Sequence, residues 1–441
     1  MSDRPYLEEV SSFKLSELQN TNIDQYPFLI ESVNSNDDNR YSILFAFPQE
    51  KIISKFNDET KFLDIFPTHI AKDKITNLPF TGGWFVFLGY ELTKQIEPVL
   101  SSQLKDPIIP VAIATRIPTC VIFDHQKNQT IIFDESSNLD RINQIKKDIR
   151  NIKKQSQKQN SFNKLMSEDE KKYIEGVNSC KEYIRAGDVF QVNLSRNWSV
   201  EIADNFSSSG LYERLKNINP APFSAFAHFN EFDIISSSPE RLFAVDGAMQ
   251  TISTRPIAGT HPRGEGNQDQ IMKENLISHP KEKAEHLMLI DLERNDLGRI
   301  CEYGSIKVDE FMTLETYPYV HHIVSNVSGK LRDKIGFEHI VKALFPGGTI
   351  TGCPKIRCME IIAELEKMPR GVYTGSLGYV SNNGNMDFNI LIRTFTKIGE
   401  RLEFRTGAGI VSDSNPEKEL EETIHKAEGL LRVLKSRGVK A

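Results

Sequence analysis

Apolar runs of strand length recur along the whole chain, separated by turn residues. They include 41–47 (YSILFAF), 83–89 (GWFVFLG), 375–379 (GSLGY) and 402–407 (LEFRTG). Helical patterns are mixed irregularly among these runs, so the sequence lacks the repeating strand–helix order of a parallel sheet. This pattern predicts an α+β fold built on antiparallel sheet.

Helical spacing of apolar residues is clearest in the second half of the chain. The predicted helices there are 282–291, 337–344, 355–366 and 416–436. Upstream of them, from residue 143, the chain becomes polar and basic with few apolar residues, which is typical of a boundary. We therefore predict three parts: an N-terminal region over 1–142, a linker over 143–166 and a second region over 167–435.

Charge and composition exclude several classes of partner. The net charge is −6 and the pI about 6.0, so no basic field is available to hold a nucleic-acid backbone. No apolar run approaches the length of a membrane span, and the polar N-terminus lacks the apolar core of a signal peptide. The five cysteines are scattered without a CxxC pair, which favours free thiols. We therefore expect a cytoplasmic protein that binds neither nucleic acid nor membrane.

Two acidic pairs have the spacing of a helix face. Glu282 and Glu285 are three residues apart on one predicted helix, and Glu419 and Glu422 are three apart on another. Two such faces could meet at a Mg²⁺ ion, which uses one or two carboxylates together with waters and an anionic substrate. Solvated surface is the alternative, with Glu422 and Lys426 forming an ordinary i,i+4 ion pair.

Other residues are candidates for proton transfer or anion binding. Glu240 follows a proline at the predicted end of a strand, in SSSPER. Arg393 lies in a predicted strand (NILIRT), where a buried guanidinium needs an anionic partner. His321 and His322 point to opposite faces of a predicted strand, so one of them could face a pocket, and a structural histidine is the alternative.

Ten blocks spread over residues 170–431 resemble, in the same order, the chorismate-binding enzyme family. This family includes the anthranilate, aminodeoxychorismate, isochorismate and salicylate synthases. The blocks are GDVFQVNLSR, SSSPERL, TRPIAGT, AEHLMLIDLERNDLGRI, VHHIVSNVSG, FPGGTITGCPKIRCMEII, GSLGYV, NILIRT, GAGIVSDS and PEKELEETIHKAEGLL. The resemblance implies a fold of two facing antiparallel β-sheets flanked by helices.

The same resemblance implies roles for individual residues. Glu285 and Glu422 correspond to direct Mg²⁺ ligands, with Glu419 and Glu282 in support. Glu240 corresponds to the general acid that protonates the departing C4 hydroxyl of chorismate. The remaining positions correspond to groups that line the pocket or hold the substrate's carboxylates: His322, Thr349, Tyr373, Arg393, Lys426 and the backbone at Gly407, Ala408 and Gly409.

Within the family, the nucleophile is indicated by Gln191. Isochorismate and salicylate synthases have a lysine base there that activates water, and a neutral amide cannot replace it, so ammonia is favoured. The strings DLERND and YPYVHHIVS favour the aminodeoxychorismate synthases, whereas PIAGT, with Ala258, agrees with the anthranilate synthases. The resemblance thus implies amination at C4 with ammonia from a glutamine amidotransferase subunit. An anthranilate synthase or a non-catalytic effector-binding subunit is the alternative.

The N-terminal region resembles the first domain of anthranilate synthases at LIES (29–32) and NRYS (39–42). In those enzymes these segments form a pocket for a feedback effector. Glu31 and Ser32 are therefore candidate effector-binding residues, and an ordinary strand pair in the core is the alternative.

Overall fold

The computed structural model describes residues 5–33, 40–67, 77–152, 162–203, 206–264, 266–316 and 320–435. Residue 39 of the NRYS segment, residue 436 of the last predicted helix and residues 153–161 of the predicted linker lie outside these ranges. The described helices are α1 Leu15–Gln19, α2 Phe62–Ile65, α3 Thr93–Ile96, α4 Leu139–Arg150, α5 Glu170–Ala186, α6 Ser208–Ile218, α7 Asn267–Ser278, α8 Pro280–Gly298, α9 Phe337–Leu344, α10 Lys355–Glu366 and α11 Pro416–Lys435, with short 3₁₀ turns at Tyr90–Leu92, Pro98–Ser102 and Gly348–Ile350.

The described strands form two sheets in which every pairing is antiparallel, as predicted. The strands of the first sheet are β1 Tyr6–Val10, β2 Phe28–Glu31, β3 Tyr41–Ala46, β7 Thr119–Asp124, β8 Gln129–Asp134, β9 Phe162–Ser167, β10 Gln191–Ile202, β11 Phe223–Phe229, β12 Phe232–Ser238, β18 Gly352–Cys353, β21 Thr394–Ile398 and β22 Arg401–Ile410. Their order is β1-β8-β7-β3-β2-β11-β12-β21-β22-β10-β18, with β9 also on β10.

The second sheet also combines strands from distant parts of the sequence. Its strands are β4 Lys51–Ser54, β5 Gly83–Leu88, β6 Ala112–Ile117, β13 Arg241–Asp246, β14 Thr251–Thr254, β15 Ile257–Pro262, β16 Lys307–Thr316, β17 Val320–Lys330, β19 Ser376–Ser381 and β20 Met386–Asn389. Their order is β15-β17-β14-β13-β20-β19-β5-β6-β4, with β16 also on β17.

Both sheets contain strands from both parts of the chain. β2 pairs with β11 in the first sheet, and β5 pairs with β19 in the second. The predicted linker over 143–166 overlaps two regular elements, because α4 continues to Arg150 and β9 begins at Phe162. The regions on either side of it therefore share their sheets.

Aromatic side chains fill the space between the two sheets. Phe28 of the first sheet stacks on Phe85 of the second with ring centroids 4.1 Å apart, and Phe87 meets Phe232 at 5.8 Å. All four rings are at least 97% buried. Burial of this apolar surface holds the sheets face to face, and the predicted α+β class with two facing sheets is confirmed. None of the described helices is long and apolar enough to cross a membrane.

Candidate active site

The chain passes between the two sheets at two neighbouring points, and each crossing carries a candidate residue. Glu240 lies between β12 of the first sheet and β13 of the second, and Arg393 lies between β20 of the second and β21 of the first. The crossings are joined by backbone hydrogen bonds, from Ile390 N to Glu240 O at 3.0 Å and from Ser237 N to Arg393 O at 3.2 Å. The site thus lies where the sheets exchange strands.

Arg393 is not in a strand, and the prediction that it would be is wrong. Its φ is 51°, in the left-handed region that strands do not use. The apolar neighbours that suggested a strand belong to the crossing itself, where Ile390 and Leu391 are buried between the sheets.

Glu240 is the most buried carboxyl among the candidate site residues. Only 5% of its surface is exposed, and its Oε1 atom has no hydrogen-bond partner among the described residues. Burial raises the pKa of Glu240 to about 7, although Thr349, the backbone of Ile257 and the charges of Arg393 and Lys426 all act to lower it. A carboxyl in this state can hold a proton near neutral pH and donate it.

Glycine residues of β22 allow two amide side chains to lie flat on the strand. Gly407, Ala408 and Gly409 pair with β10. A Cβ atom at Gly409 would lie 2.2 Å from Gln191 Nε2, and one at Gly407 would lie 2.8 Å from both Asn193 Oδ1 and the Tyr373 hydroxyl. Any larger residue would displace these polar groups, so the GAG sequence shapes a polar surface rather than a turn.

The acidic residues of α8 and α11 approach the same glycine strand. Gln191 Nε2 donates to Glu285 Oε1 at 2.8 Å. Burial raises the pKa of Glu285, and the charges of Glu282 and Glu422 raise it further. Lys426 Nζ lies 2.7 Å from Glu422 Oε1 and donates to the Gly407 carbonyl at 3.0 Å. Both helices therefore direct carboxylates to one place.

A divalent cation fits part of this acidic set. In the described ranges no group of three or more potential ligands stands ready to hold a metal ion. The charge of Glu422 on α11 nevertheless raises the pKa of Glu285 on α8, and Mg²⁺ needs only one or two carboxylates when waters and an anionic substrate complete its shell. Glu419 is buried near Tyr173, whose pKa is raised by burial and then by the charges of Glu419 and Glu422.

The two histidines have different surroundings. His321 is fully buried and lies 2.8 Å from Asp269 Oδ1 and 2.9 Å from Thr316 Oγ1, so it joins α7 to the strands as a structural residue. His322 is 2% exposed, and burial, followed by the charge of Arg393, lowers its pKa to about 3. His322 is therefore neutral at physiological pH and lies near enough to Arg393 for that charge to act on it.

Sequence reasoning missed a second buried carboxyl, Glu293. It is 6% exposed, and burial, assisted by the charge of Asp296, raises its pKa to about 8. The charge of Glu240 acts in the same direction, so the two carboxyls are neighbours. Glu293 follows Glu285 by eight residues on α8, which is close to two helical turns, and this spacing was a signal that could have found it.

The candidate effector residues, one at the end of β2 and one directly after it, have different surroundings. Ser32 lines a cavity of about 240 Å³ together with Arg40, Tyr41, Arg241 and other residues. Glu31 does not line it, since its Oε2 accepts hydrogen bonds from the Tyr212 hydroxyl at 2.7 Å and from Lys216 Nζ at 2.9 Å. Adjacent residues at a strand end point in opposite directions, which separates the pair.

The fold and this site define a class of enzyme in which two antiparallel sheets and the helices α8 and α11 bring together acidic, amide and cationic groups suited to an anionic substrate. A family model described as chorismate binding enzyme matches residues 27–432, and the chain belongs to the chorismate-binding enzyme family. Residue identity is 42% over 377 residues with an anthranilate synthase component I-like protein of Synechocystis sp., covering 83% of this chain and 75% of that protein.

Other relatives carry different activities in their names. An aminodeoxychorismate synthase component 1 of Bacillus subtilis is 39% identical over 369 residues, which cover 80% of this chain and 77% of that protein. The crystal structure of anthranilate synthase component I from Streptococcus pneumoniae superposes with a TM-score of 0.79 at 31% identity, covering 88% of this chain and 91% of that one. The chain is thus a chorismate-utilising enzyme of the anthranilate or aminodeoxychorismate synthase type.

Proposed function

We propose that this chain aminates chorismate at C4 to give 4-amino-4-deoxychorismate, a precursor of p-aminobenzoate. The observation that carries the amination is a buried acid, Glu240, whose pKa is raised to about 7, together with a neutral amide, Gln191, in place of a lysine. The strings DLERND and YPYVHHIVS favour amination at C4 over the anthranilate synthase reaction. An acid is needed because hydroxide is a poor leaving group. A neutral amide cannot deprotonate water, so a nucleophile that attacks without prior deprotonation, such as ammonia, is required.

Each residue has one task in this reaction. Arg393, Lys426 and Tyr373 hold the carboxylates of chorismate by charge-assisted hydrogen bonds, and the backbone of the glycine strand supplies further donors. Glu285 and Glu422, supported by Glu282 and Glu419, would hold Mg²⁺. When bound, the metal stabilises electron density drawn into the ring carboxylate.

Proton transfer runs through Glu240. As the C4–O bond breaks, Glu240 donates its proton to the departing hydroxide and water forms. Ammonia forms the new C–N bond, and the resulting ammonium returns one proton, which restores the acid. His322 is neutral and buried, so it shapes the pocket beside Thr349 without competing as an acid. Ala258 has no nucleophile, so ammonia adds to the ring directly.

A glutamine amidotransferase subunit supplies the ammonia in this proposal. The Bacillus subtilis relative and many others are named as component 1 of a synthase, which implies a second component. Ammonium salt replaces that subunit in a test with this chain alone.

Product analysis tests the proposal. The chain is incubated with chorismate, ammonium chloride and magnesium chloride, and the products are separated by chromatography with mass detection. We expect 4-amino-4-deoxychorismate, formed only when magnesium and ammonium are both present. Fluorescent anthranilate as the main product would replace the proposal with the anthranilate synthase activity. Unconsumed chorismate would favour a non-catalytic effector-binding subunit.

A further inference from the structure

Glu91 is a buried carboxylate of the N-terminal region that contacts the chain close to the candidate site. It lies in the 3₁₀ turn that follows β5 and is 1% exposed. Glu91 Oε1 accepts a hydrogen bond from Arg370 N at 2.7 Å, and Glu91 Oε2 accepts one from Gly371 N at 2.9 Å. Tyr90 N, in the same turn, donates to the Gly371 carbonyl at 2.9 Å. One turn of the N-terminal region therefore holds two successive residues from the other end of the chain.

The backbone at Gly371 depends on these outside contacts. Its φ is 60°, in the left-handed region, which glycine adopts about as readily as the ordinary regions, so the residue does not fix its own conformation. Glu91 binds the amide of Gly371 and Tyr90 binds its carbonyl. Together these two residues select the conformation in which the chain turns between α10 and β19.

The held segment leads directly to Tyr373. Tyr373 N donates to the Arg370 carbonyl at 3.1 Å, and the Arg370 guanidinium lies over the Tyr373 ring at 5.5 Å from its centroid. The Tyr373 side chain is buried, and its hydroxyl lies 2.8 Å from the position that a Cβ atom would take at Gly407. A shift of the backbone at residues 370 and 371 would therefore move this hydroxyl relative to the glycine strand.

Glu366 binds the same arginine at its other end. The Glu366 oxygens accept hydrogen bonds from Arg370 Nε at 3.0 Å and from Arg370 Nη2 at 2.7 Å. Glu366 thus fixes the guanidinium, whereas Glu91 fixes the backbone from which the chain continues to Tyr373. The two buried carboxylates have separate tasks on one short segment.

We propose that Glu91 is a positioning residue for substrate binding, which holds the backbone at Arg370 and Gly371 so that the Tyr373 hydroxyl meets a carboxylate of chorismate. The inference rests on the proposed function, which assigns Tyr373 to the substrate. A carboxylate offers one acceptor oxygen to each N–H group. Glutamine has almost the same shape, but it offers one oxygen and turns an NH₂ group towards the second N–H, so two donors oppose each other.

The experiment measures Glu91→Gln in the full chain with chorismate, magnesium chloride and saturating ammonium chloride. The KM for chorismate should rise by about tenfold, the equivalent of one lost hydrogen bond. The kcat should stay within about twofold, because the tyrosine holds the carboxylate equally in the ground state and the transition state. Glu59→Gln is the matched control, since Glu59 is an exposed glutamate of the same region and should leave both constants unchanged. An unchanged KM for chorismate in Glu91→Gln would overturn the inference.

A double-mutant cycle separates positioning from a general loss of structure. Tyr373→Phe removes the hydroxyl and keeps the ring, so adding Glu91→Gln to it should raise the KM for chorismate by less than about twofold further. A further tenfold rise in that background would contradict the proposal, because Glu91 would then act by another route.

Two further measurements cover the remaining failures. Thermal unfolding checks that Glu91→Gln folds; if it does not, Gly371→Ala strains the same segment at its positive φ without a close contact, since its Cβ would meet only Ile109 at 3.9 Å. Gly371→Ala should raise the KM for chorismate in the unaltered background and not in Tyr373→Phe, and equal rises in both would overturn the inference. A chorismate binding titration repeats the cycle without turnover. Absence of aminated product from the unaltered chain would remove the proposed function, and the dissociation constants would still decide the role of Glu91.

Discussion

Two buried carboxyls, Glu366 beside β10 and Glu240 at the crossing between β12 and β13, have opposite surroundings. Glu366 is 4% exposed and receives hydrogen bonds from Arg370 at 2.7 Å, Arg405 at 3.0 Å and the Ser195 hydroxyl at 2.8 Å. Burial acts to raise the pKa of Glu366, but the charges of Arg370 and Arg405 outweigh it and the pKa is lowered. Glu240 is equally buried, has an oxygen without a partner and keeps its proton to about pH 7.

The difference shows what each cluster does. The Glu366 cluster is saturated with partners and holds the strand that carries the site, since Arg370 Nη2 also donates to the Asn193 carbonyl at 2.7 Å. The Glu240 surroundings leave a proton and an acceptor available. Saturated buried charge fixes the structure, whereas an incompletely paired buried carboxyl is poised for proton transfer.

Glu240→Gln tests whether the incompletely paired carboxyl is the proton donor, and it should have the largest effect. We expect turnover to fall by about 10²–10⁴-fold with chorismate binding retained, because glutamine has the same shape but cannot donate the proton. Steady-state kinetics and a chorismate binding titration measure the two effects. Retained full turnover would remove Glu240 from the acid role.

The same substitution should raise stability at alkaline pH. The pKa of Glu240 is raised from 4.5 to about 7 in the folded chain, so the folded state holds more protons than the unfolded state between these values. Its stability therefore falls as pH rises through that window and stays lower above it. The gain from Glu240→Gln should be at most about 3 kcal/mol at pH 8 and should vanish near pH 4, as urea unfolding at both pH values can show.

Glu366→Gln tests whether the fully paired carboxyl stabilises the fold. The substitution leaves Arg370 and Arg405 buried without a full charge partner, so we expect a loss of about 3–5 kcal/mol in the free energy of unfolding. Glu428→Gln is the matched control, because Glu428 pairs with Arg432 on the exposed face of α11 and should cost under about 1 kcal/mol. Similar losses for both variants would mean that the Glu366 cluster does not hold the strand.

Glu293→Gln tests whether a neighbouring carboxyl changes the pH dependence set by Glu240, and it should have the smallest effect. Glu240 must be protonated to act, so activity is present below its pKa and is lost as pH rises through it. The charge of Glu240 raises the pKa of Glu293, which is about 8, so Glu293 is still mostly neutral while Glu240 titrates near pH 7. Removing Glu293 should therefore leave the descending limb of the pH–rate profile within about half a unit of its place. Activity at pH 6 should change little, and a larger displacement of the limb would show that Glu293 is charged while Glu240 loses its proton.

Local pattern predicted the fold well where apolar spacing is strong. The predicted helices 337–344 and 355–366 coincide with α9 and α10, because their buried residues recur at helical spacing. The antiparallel class followed from short strands without regular crossover helices. The two-sheet arrangement came from the family resemblance, since which strands pair is not written in local spacing.

The site was less accessible to sequence reasoning because its contacts are non-local. The sequence predicts a strand at Arg393, because apolar residues at a crossing between sheets resemble those of a strand. It groups Glu31 with Ser32, although the partners of Glu31, which are Tyr212 and Lys216, lie far along the chain. The sequence does not indicate the Glu366 cluster, because nothing in the local pattern distinguishes a buried glutamate with arginine partners from an exposed one. The roles of the acidic helices stay predictions.

Strands that pair in the sheets are far apart in the sequence, so the ribosome makes them at different times. Leu88 in β5 pairs with Ser376 in β19, and Glu31 in β2 pairs with Ser224 in β11. At about 5–20 residues per second, the ribosome needs on the order of 15–60 s after making β5 to deliver that partner strand. During that interval the backbone N–H and C=O groups of β5 that will pair with β19 have no partner strand. Such unpaired groups can form hydrogen bonds with other chains, which leads to aggregation. Production of this enzyme should therefore depend on translation speed and on chaperones more than that of a chain whose strands pair with their neighbours.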